Sequence, residues 1–357
     1  MSVFCLLSDP DNYVATDWDL LADQAAREHW LDHFERHFSH TLEHALTWYG
    51  RSAASRVEDA GRALRDAIAR LREEPASLPS GKLNIIELDR LREEILRGHG
   101  LGDPFQHIKA RENAEAMKLY PQVVHDLHVL DAAEKWLHLV ECVFAGNIFD
   151  LGAMETMHLA DGPVDFLELV EKTKPRPWLV DDYDLLAAGL LTAPPMPWSK
   201  AIVFLDNAGS DFVLGLMPLV RELALGGTQI VLAANETPAL NDMTADETID
   251  VVEQLAGADA DLEALIGGGM FEVVSSGNNI PLIDLSEVSD DLNETAADAD
   301  LVILEGMGRA VESNFDAAFT VDAVHLAILK DEAVAKRMGG ELFDCICKYA
   351  PVEPAQD

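Results

Sequence analysis

Basic side chains are scarce in this chain: 26 Lys and Arg stand against 64 Asp and Glu, a formal net charge of −38. A surface so short of cations repels a phosphate backbone, which excludes nucleic acid as a partner. Cysteine is equally thin, at 4 in 357 residues. That number supplies neither a disulfide framework nor a zinc-ligand spacing. No run approaches the ~18 uncharged apolar residues of a membrane span, so no membrane partner is expected. Met1 to Asp11 lacks the basic start and apolar core of a signal peptide, and the expected location is cytoplasmic. A P-loop is missing too, since no Gly-Lys-Ser or Gly-Lys-Thr occurs.

What is present is an ordinary globular mixture, 48% hydrophobic and 25% charged, in a length that suits two domains. The acidity is uneven. Residues 186–357 hold 7 basic and 30 acidic side chains, a net of −23, against −15 for residues 1–185. Adaptation to high salt and plain surface solvation both account for such a charge, and neither dictates a fold.

Apolar residues recur at helical spacing through the first half, along Asp17–Trp48, Ala53–Leu71, Leu83–Leu96, Phe105–Tyr120 and, beyond Pro121, Val123–Phe144. Prolines 175, 177, 194, 195 and 197 then mark a change of composition. The second half alternates short apolar runs with helical pieces. Strands are predicted at Ala201–Leu205, Gln229–Ala233, Phe271–Val274, Leu301–Leu304, Ala323–Leu329 and Leu342–Cys347, and helices, each unbroken, at Phe212–Leu225, Asp246–Leu255 and Glu332–Met338. The expectation is a helical domain over 1–185 and a doubly wound, mostly parallel three-layer α/β/α domain over 186–357 that binds metal and phosphate.

Ligands of such sheets sit beyond the carboxyl ends of the strands. There the chain places Asp206 and Asn207, then Asn235 and Asp242, then Glu305, Gly306, Gly308 and Arg309, and finally Lys330. Carboxylate and carboxamide oxygens are hard ligands suited to Mg²⁺ or Mn²⁺. Arg309, Lys330 and the Gly306–Gly308 turn can hold phosphate oxygens. Each Asp alone reads equally as a turn or cap residue; the coincidence at one edge is what points to metal-assisted phosphoryl chemistry.

Val203-Phe-Leu-Asp-Asn-Ala-Gly-Ser-Asp211, Ala234-Asn-Glu-Thr-Pro-Ala-Leu-Asn-Asp-Met-Thr244 and Glu305-Gly-Met-Gly-Arg309 resemble the damage-control phosphatase family, in its subfamily with the Glu-Gly-Met-Gly-Arg motif. Leu101–Phe105, Lys109–Asn113, Ala145–Asp150 and Pro175–Asp182 share the likeness, which covers about residues 98 to 350. The resemblance implies a divalent metal held by Asp206, Asn207 and Asp242, with Mn²⁺, Co²⁺ or Ni²⁺ supporting hydrolysis and Mg²⁺ compatible. It also implies 4′-phosphopantetheine, or its damaged and oxidised forms, as the small phosphorylated metabolite, with sugar phosphates as the alternative substrates. Asp206, Asp242 and Lys330 are the expected catalytic residues. Asn147, Asn235, Glu305, Gly306, Gly308, Arg309 and Lys330 are expected to meet the substrate. Asp206 as a covalent nucleophile, or a metabolite-binding protein without turnover, are the competing readings.

His33, His37, His40 and His44 share one helical face and read as a solvated surface rather than a metal site. Cys345 and Cys347 alternate along a strand and read as core. Asp103 reads as a turn former, Asp150 as a loop residue, and Asp181 with Asp182 as a cap or linker pair.

Overall fold

Asp23 starts the first helix by accepting the amide N–H of Ala26 at 2.9 Å, so helix α1 (Gln24–Tyr49) begins later than its apolar periodicity predicts. The computed structural model describes residues 1–148, 166, 169–170, 173–192 and 195–352; Asp150 and Pro194 lie outside the described residues. Helices α2 (Ala54–Glu73), α3 (Ile85–Gly98), α4 (Gln106–Leu127) and α5 (Ala132–Asn147) come next. Pro121 lies inside α4 rather than ending it. The lost N–H bond is outweighed by the burial of Tyr120, Val123 and Leu127 on either side of it. The break falls instead at Asp131, which opens α5 with a capping box to Glu134.

Among the described residues the sheet has seven strands: β1 (Val180–Asp181), β2 (Lys200–Phe204), β3 (Gln229–Ala234), β4 (Phe271–Ser275), β5 (Leu301–Glu305), β6 (Asp322–Ile328) and β7 (Cys345–Ala350), in the order β1-β7-β6-β5-β2-β3-β4. Neighbours run parallel except β6 and β7. β1 has only two residues, too short to leave a pattern in the sequence. β7 starts three residues later than predicted, because Phe343 has a φ of 64°, outside the strand region. Between the strands stand α6 (Tyr183–Leu190), α7 (Met217–Leu225), α8 (Ala245–Ala256), α9 (Ala260–Gly267), α10 (Asp290–Ala296) and α11 (Glu332–Met338).

Alternate residues of each buried strand enter opposite cores. Ala201, Val203, Ile230, Leu232 and Ile303 pack with α4, α5 and α7, while Ile202, Phe204, Val231, Ala233 and Val302 pack with α1, α2, α3 and α10. The three-layer, doubly wound expectation holds, and the N-terminal helices supply much of both outer layers. The boundary expected near residue 185 therefore does not separate two cores: each core draws on both sides of it. Cys345 and Cys347 are free thiols in the first of these cores.

Candidate active site

Two loops at the carboxyl edge are stitched together by backbone hydrogen bonds. Beyond β2, the carbonyl of Asp206 accepts from Met243 N at 3.0 Å, and Ala208 N donates to the Asn241 carbonyl at 2.9 Å. Asn207 and Asp242 thus face each other as an antiparallel bridge. The tie brings side chains 35 positions apart in sequence to one place. Lys109 of α4 braces the second loop, its Nζ 2.8 Å from Glu247 and 3.3 Å from Asp103.

Arg309 spans the two loops. One guanidinium nitrogen bonds Asp206 Oδ1, and the other reaches Asp242 Oδ2 at 2.8 Å and Asn235 Oδ1 at 3.1 Å. Asn235 also donates to Asp242 Oδ2 at 3.0 Å. A planar fork can satisfy two carboxylates in fixed directions, which an ammonium cannot.

Asn147 comes from the opposite side, as the last residue of α5. Its Nδ2 lies 2.7 Å from Asp211, 3.0 Å from Glu305 and 3.1 Å from Asp206. Close packing puts it there. A Cβ at Gly146 would lie 2.8 Å from the Ser210 carbonyl, and one at Gly215 would lie 3.0 Å from that of Cys142. With both side chains absent, α5 rests directly on the segment Asp211–Leu216. That segment is a π-helical turn, not the start of the single α-helix expected, and such turns gather at functional sites.

Asp211 accepts from Asn147 and, at 3.0 Å, from Asn207. Burial and then the charge of Asp206 push its carboxyl up to about 6, against the pull of Lys330. Glu305 is driven well above the usual range, first by burial and then by the charges of Asp211 and Asp206. Lys330 is fully buried, and its charge acts on both of these acids. The Lys330 amide lies 3.2 Å from Met307 Sδ, so the residue abuts the Gly306–Gly308 turn.

A cation fits this edge. Asp206, Asp211 and Glu305 each place one carboxylate oxygen within 4.8 Å of the others. Asp211 Oδ1, Glu305 Oε2 and Asn147 Oδ1 are buried and accept no hydrogen bond among the described residues. Buried acceptors left so are costly unless a cation or water completes them. Asp206, Asn207 and Asp242 face the adjoining cleft together with Asp89 and Arg92 of α3, Met307 and Gly308.

The damage-control phosphatase ARMT1-like domain matches residues 34–346. The chain belongs to the damage-control phosphatase family. It is 39% identical to a damage-control phosphatase of Arabidopsis thaliana, over 84% of this chain and 81% of the relative. It is 36% identical to Arabidopsis thaliana pantothenate kinase 2, over 98% of this chain and 42% of that protein. With the 4′-phosphopantetheine phosphatase of Mus musculus the identity is 31%, over 96% of this chain and 48% of the relative. The chain thus spans less than half the length of the latter two. A Pyrococcus horikoshii structure of the DUF89 family has the same fold, with a TM-score of 0.60 at 18% identity over 89% of this chain and 96% of that one.

Of the residues singled out in the sequence, Asp206, Asn207, Asp242, Asn147, Asn235, Glu305, Gly306, Arg309 and Lys330 come to this edge. Gly308 faces the Pro281 carbonyl. The histidine face is solvated only in part: His40 keeps 44% of its side chain exposed, whereas His37 is buried and His33 lines the cleft. Asp211, Lys109 and Arg92 had no role from the sequence. Asp211 lies four residues beyond Asn207, a spacing that a π-helical turn makes meaningful only in three dimensions.

Proposed function

We propose that the chain is a metal-dependent phosphatase that hydrolyses a phosphate monoester, most specifically 4′-phosphopantetheine or its damaged and oxidised forms. The observation that carries this is Arg309 clamping the buried Asp206 and Asp242 beside Lys330, at the edge where ligands of a doubly wound sheet bind. The substrate is that for which the mouse relative is named.

Asp206, Asn207 and Asp242 would hold the divalent ion, with Asp211 and Glu305 behind them. Bound there, the ion supplies Lewis acidity and lowers the pKa of a water. Asp242 orients the attacking water, while Lys330 balances charge on the transferring phosphoryl group. Arg309 holds the two aspartates in register and adds positive charge behind them. Both carboxylate oxygens of Asp206 are already engaged, by Arg309 on one side and by Asn147 and Asn207 on the other. Gly306 lets the backbone press against Asp206 from behind.

Phosphate release is measured from 4′-phosphopantetheine, its oxidised forms, sugar phosphates and an aryl phosphate, each with Mn²⁺, Co²⁺, Ni²⁺ and Mg²⁺. The highest kcat/KM is expected on the pantetheine esters. A preference for sugar phosphates would replace the substrate, and binding without release under every metal would replace the enzyme by a metabolite-binding protein.

A further inference from the structure

The cleft has a second wall that the phosphatase reading leaves unused. His29 and His33 stand one turn apart on α1, where i and i+4 side chains share a face. Both turn toward Asp331, the residue after Lys330. His29 Nε2 lies 3.4 Å and His33 Nδ1 3.8 Å from Asp331 Oδ2, and the three atoms fall within 4.8 Å of one another. Ligand atoms at the usual zinc distances are roughly 3.3–3.6 Å apart around a tetrahedral ion, so small side-chain rotations suffice to close this set.

The packing prepares it for a metal. Asp331 is fixed, because its Oδ1 accepts the N–H groups of Ala333 and Val334 at 2.7 and 3.0 Å. That leaves Oδ2 to the imidazoles, as outer-shell bonds orient carboxylate ligands elsewhere. His33 turns its Nδ1 to the same carboxylate from the wall of the cleft, and His29 brings its Nε2 to it from the preceding turn of α1.

We propose that His29, His33 and Asp331 form a second cation site, for Zn²⁺ or a similar transition metal, with a coordination position open to the cleft. His33 and Asp331 line that cleft with Asp206, Asn207 and Asp242. The donors differ in kind. Imidazole favours zinc, cobalt and nickel, whereas the all-oxygen edge favours magnesium and manganese. The site therefore stands or falls independently of the phosphatase reading.

The test uses the full chain, stripped with a chelator and titrated with Co²⁺ in excess Mg²⁺ as a competitor for the oxygen edge. One equivalent of Co²⁺ should give the visible bands of a four-coordinate site with nitrogen ligands, and Zn²⁺ should bleach them. His29→Ala should abolish the bands or weaken binding at least tenfold. Asp242→Asn should retain them. His29 is about one-third exposed, so its replacement should leave the circular dichroism and Tm intact; His29→Gln serves if Ala does not fold. Absence of bands in the unaltered protein, or bands that survive loss of His29, would overturn the site and leave these residues an ion pair. Bands lost in Asp242→Asn but kept in His29→Ala would assign the cobalt to the oxygen edge and overturn it equally.

Discussion

Gly306 presses on Asp206 so closely that a Cβ at residue 306 would lie 2.0 Å from Asp206 Oδ2. The glycine also has a φ of 90°, which side-chain-bearing residues rarely adopt. The backbone beyond β5 thus forms the rear surface of the Asp206 carboxylate. Gly306→Ala must displace either the turn or the aspartate. It is expected to lower phosphate release by at least about a hundredfold, the scale on which small misplacements act. At Gly308 the nearest atom to a Cβ would be the Pro281 carbonyl at 3.2 Å, and Gly308→Ala should be milder. Equal activity in the two variants would show that the contact at 306 does not position Asp206.

Arg309 is spent on protein carboxylates. With its fork on Asp206 and Asp242, it holds the two loops together. Arg309→Lys keeps the charge and loses one arm of the fork. It should lower kcat by a similar factor on the pantetheine ester and on an aryl phosphate, with weaker activation by metal. A KM increase confined to the pantetheine ester would return Arg309 to substrate recognition.

Much of this edge was legible because parallel strands announce themselves. Ala201–Leu205 and Leu301–Leu304 are short apolar runs, and the residues just past the ends of such strands meet at one edge. Asp206, Asp242 and Glu305 could therefore be grouped before any coordinates. His33 could not. Its helical neighbours have the polar spacing of a solvated face, and only the packing of α1 beside Asp331, nearly 300 residues away, removes it from water. The split of the N-terminal helices between two layers was hidden for the same reason: periodicity gives a helix its apolar face but not the side of the sheet that receives it. Pro121 misled because its local cost is smaller than the burial around it.

Lys330 has no exposed surface, so its ammonium is held in the interior by the acids it counterbalances. Lys330→Met removes the charge and keeps much of the stem's volume. Phosphate release should fall by at least about a hundredfold, as when one transition-state charge contact is lost. Unlike a surface lysine, it should also lower Tm, since Asp211 and Glu305 lose an opposing charge. A folded variant with near-native turnover would remove Lys330 from catalysis.

His325 lies in the middle of β6, fully buried, with Phe315 and Phe319 edge-on to its ring. Its Nδ1 is 3.0 Å from the Ala310 carbonyl, in the turn that carries Arg309. A carbonyl only accepts, so Nδ1 bears the proton in the neutral ring. Burial drives the imidazole down to about 4; the Ala310 bond opposes this and the Lys348 charge adds to it. Unfolded, the ring protonates near 6.5. Between those values the unfolded chain binds the extra proton, so stability falls as pH drops from about 6.5 to 4, by about 3 kcal/mol for this one group. His325→Gln cannot take up that proton. At pH 7 the variant should be the less stable, through imperfect packing, and by pH 4 the gap should close or reverse. Urea unfolding of both proteins at pH 7, 5.5 and 4 measures it, and the other titrating groups, common to both chains, cancel in the difference. A gap that stays constant with pH would mean that the folded protein accommodates the imidazolium, and that the anchor on the Arg309 turn does not depend on a neutral ring.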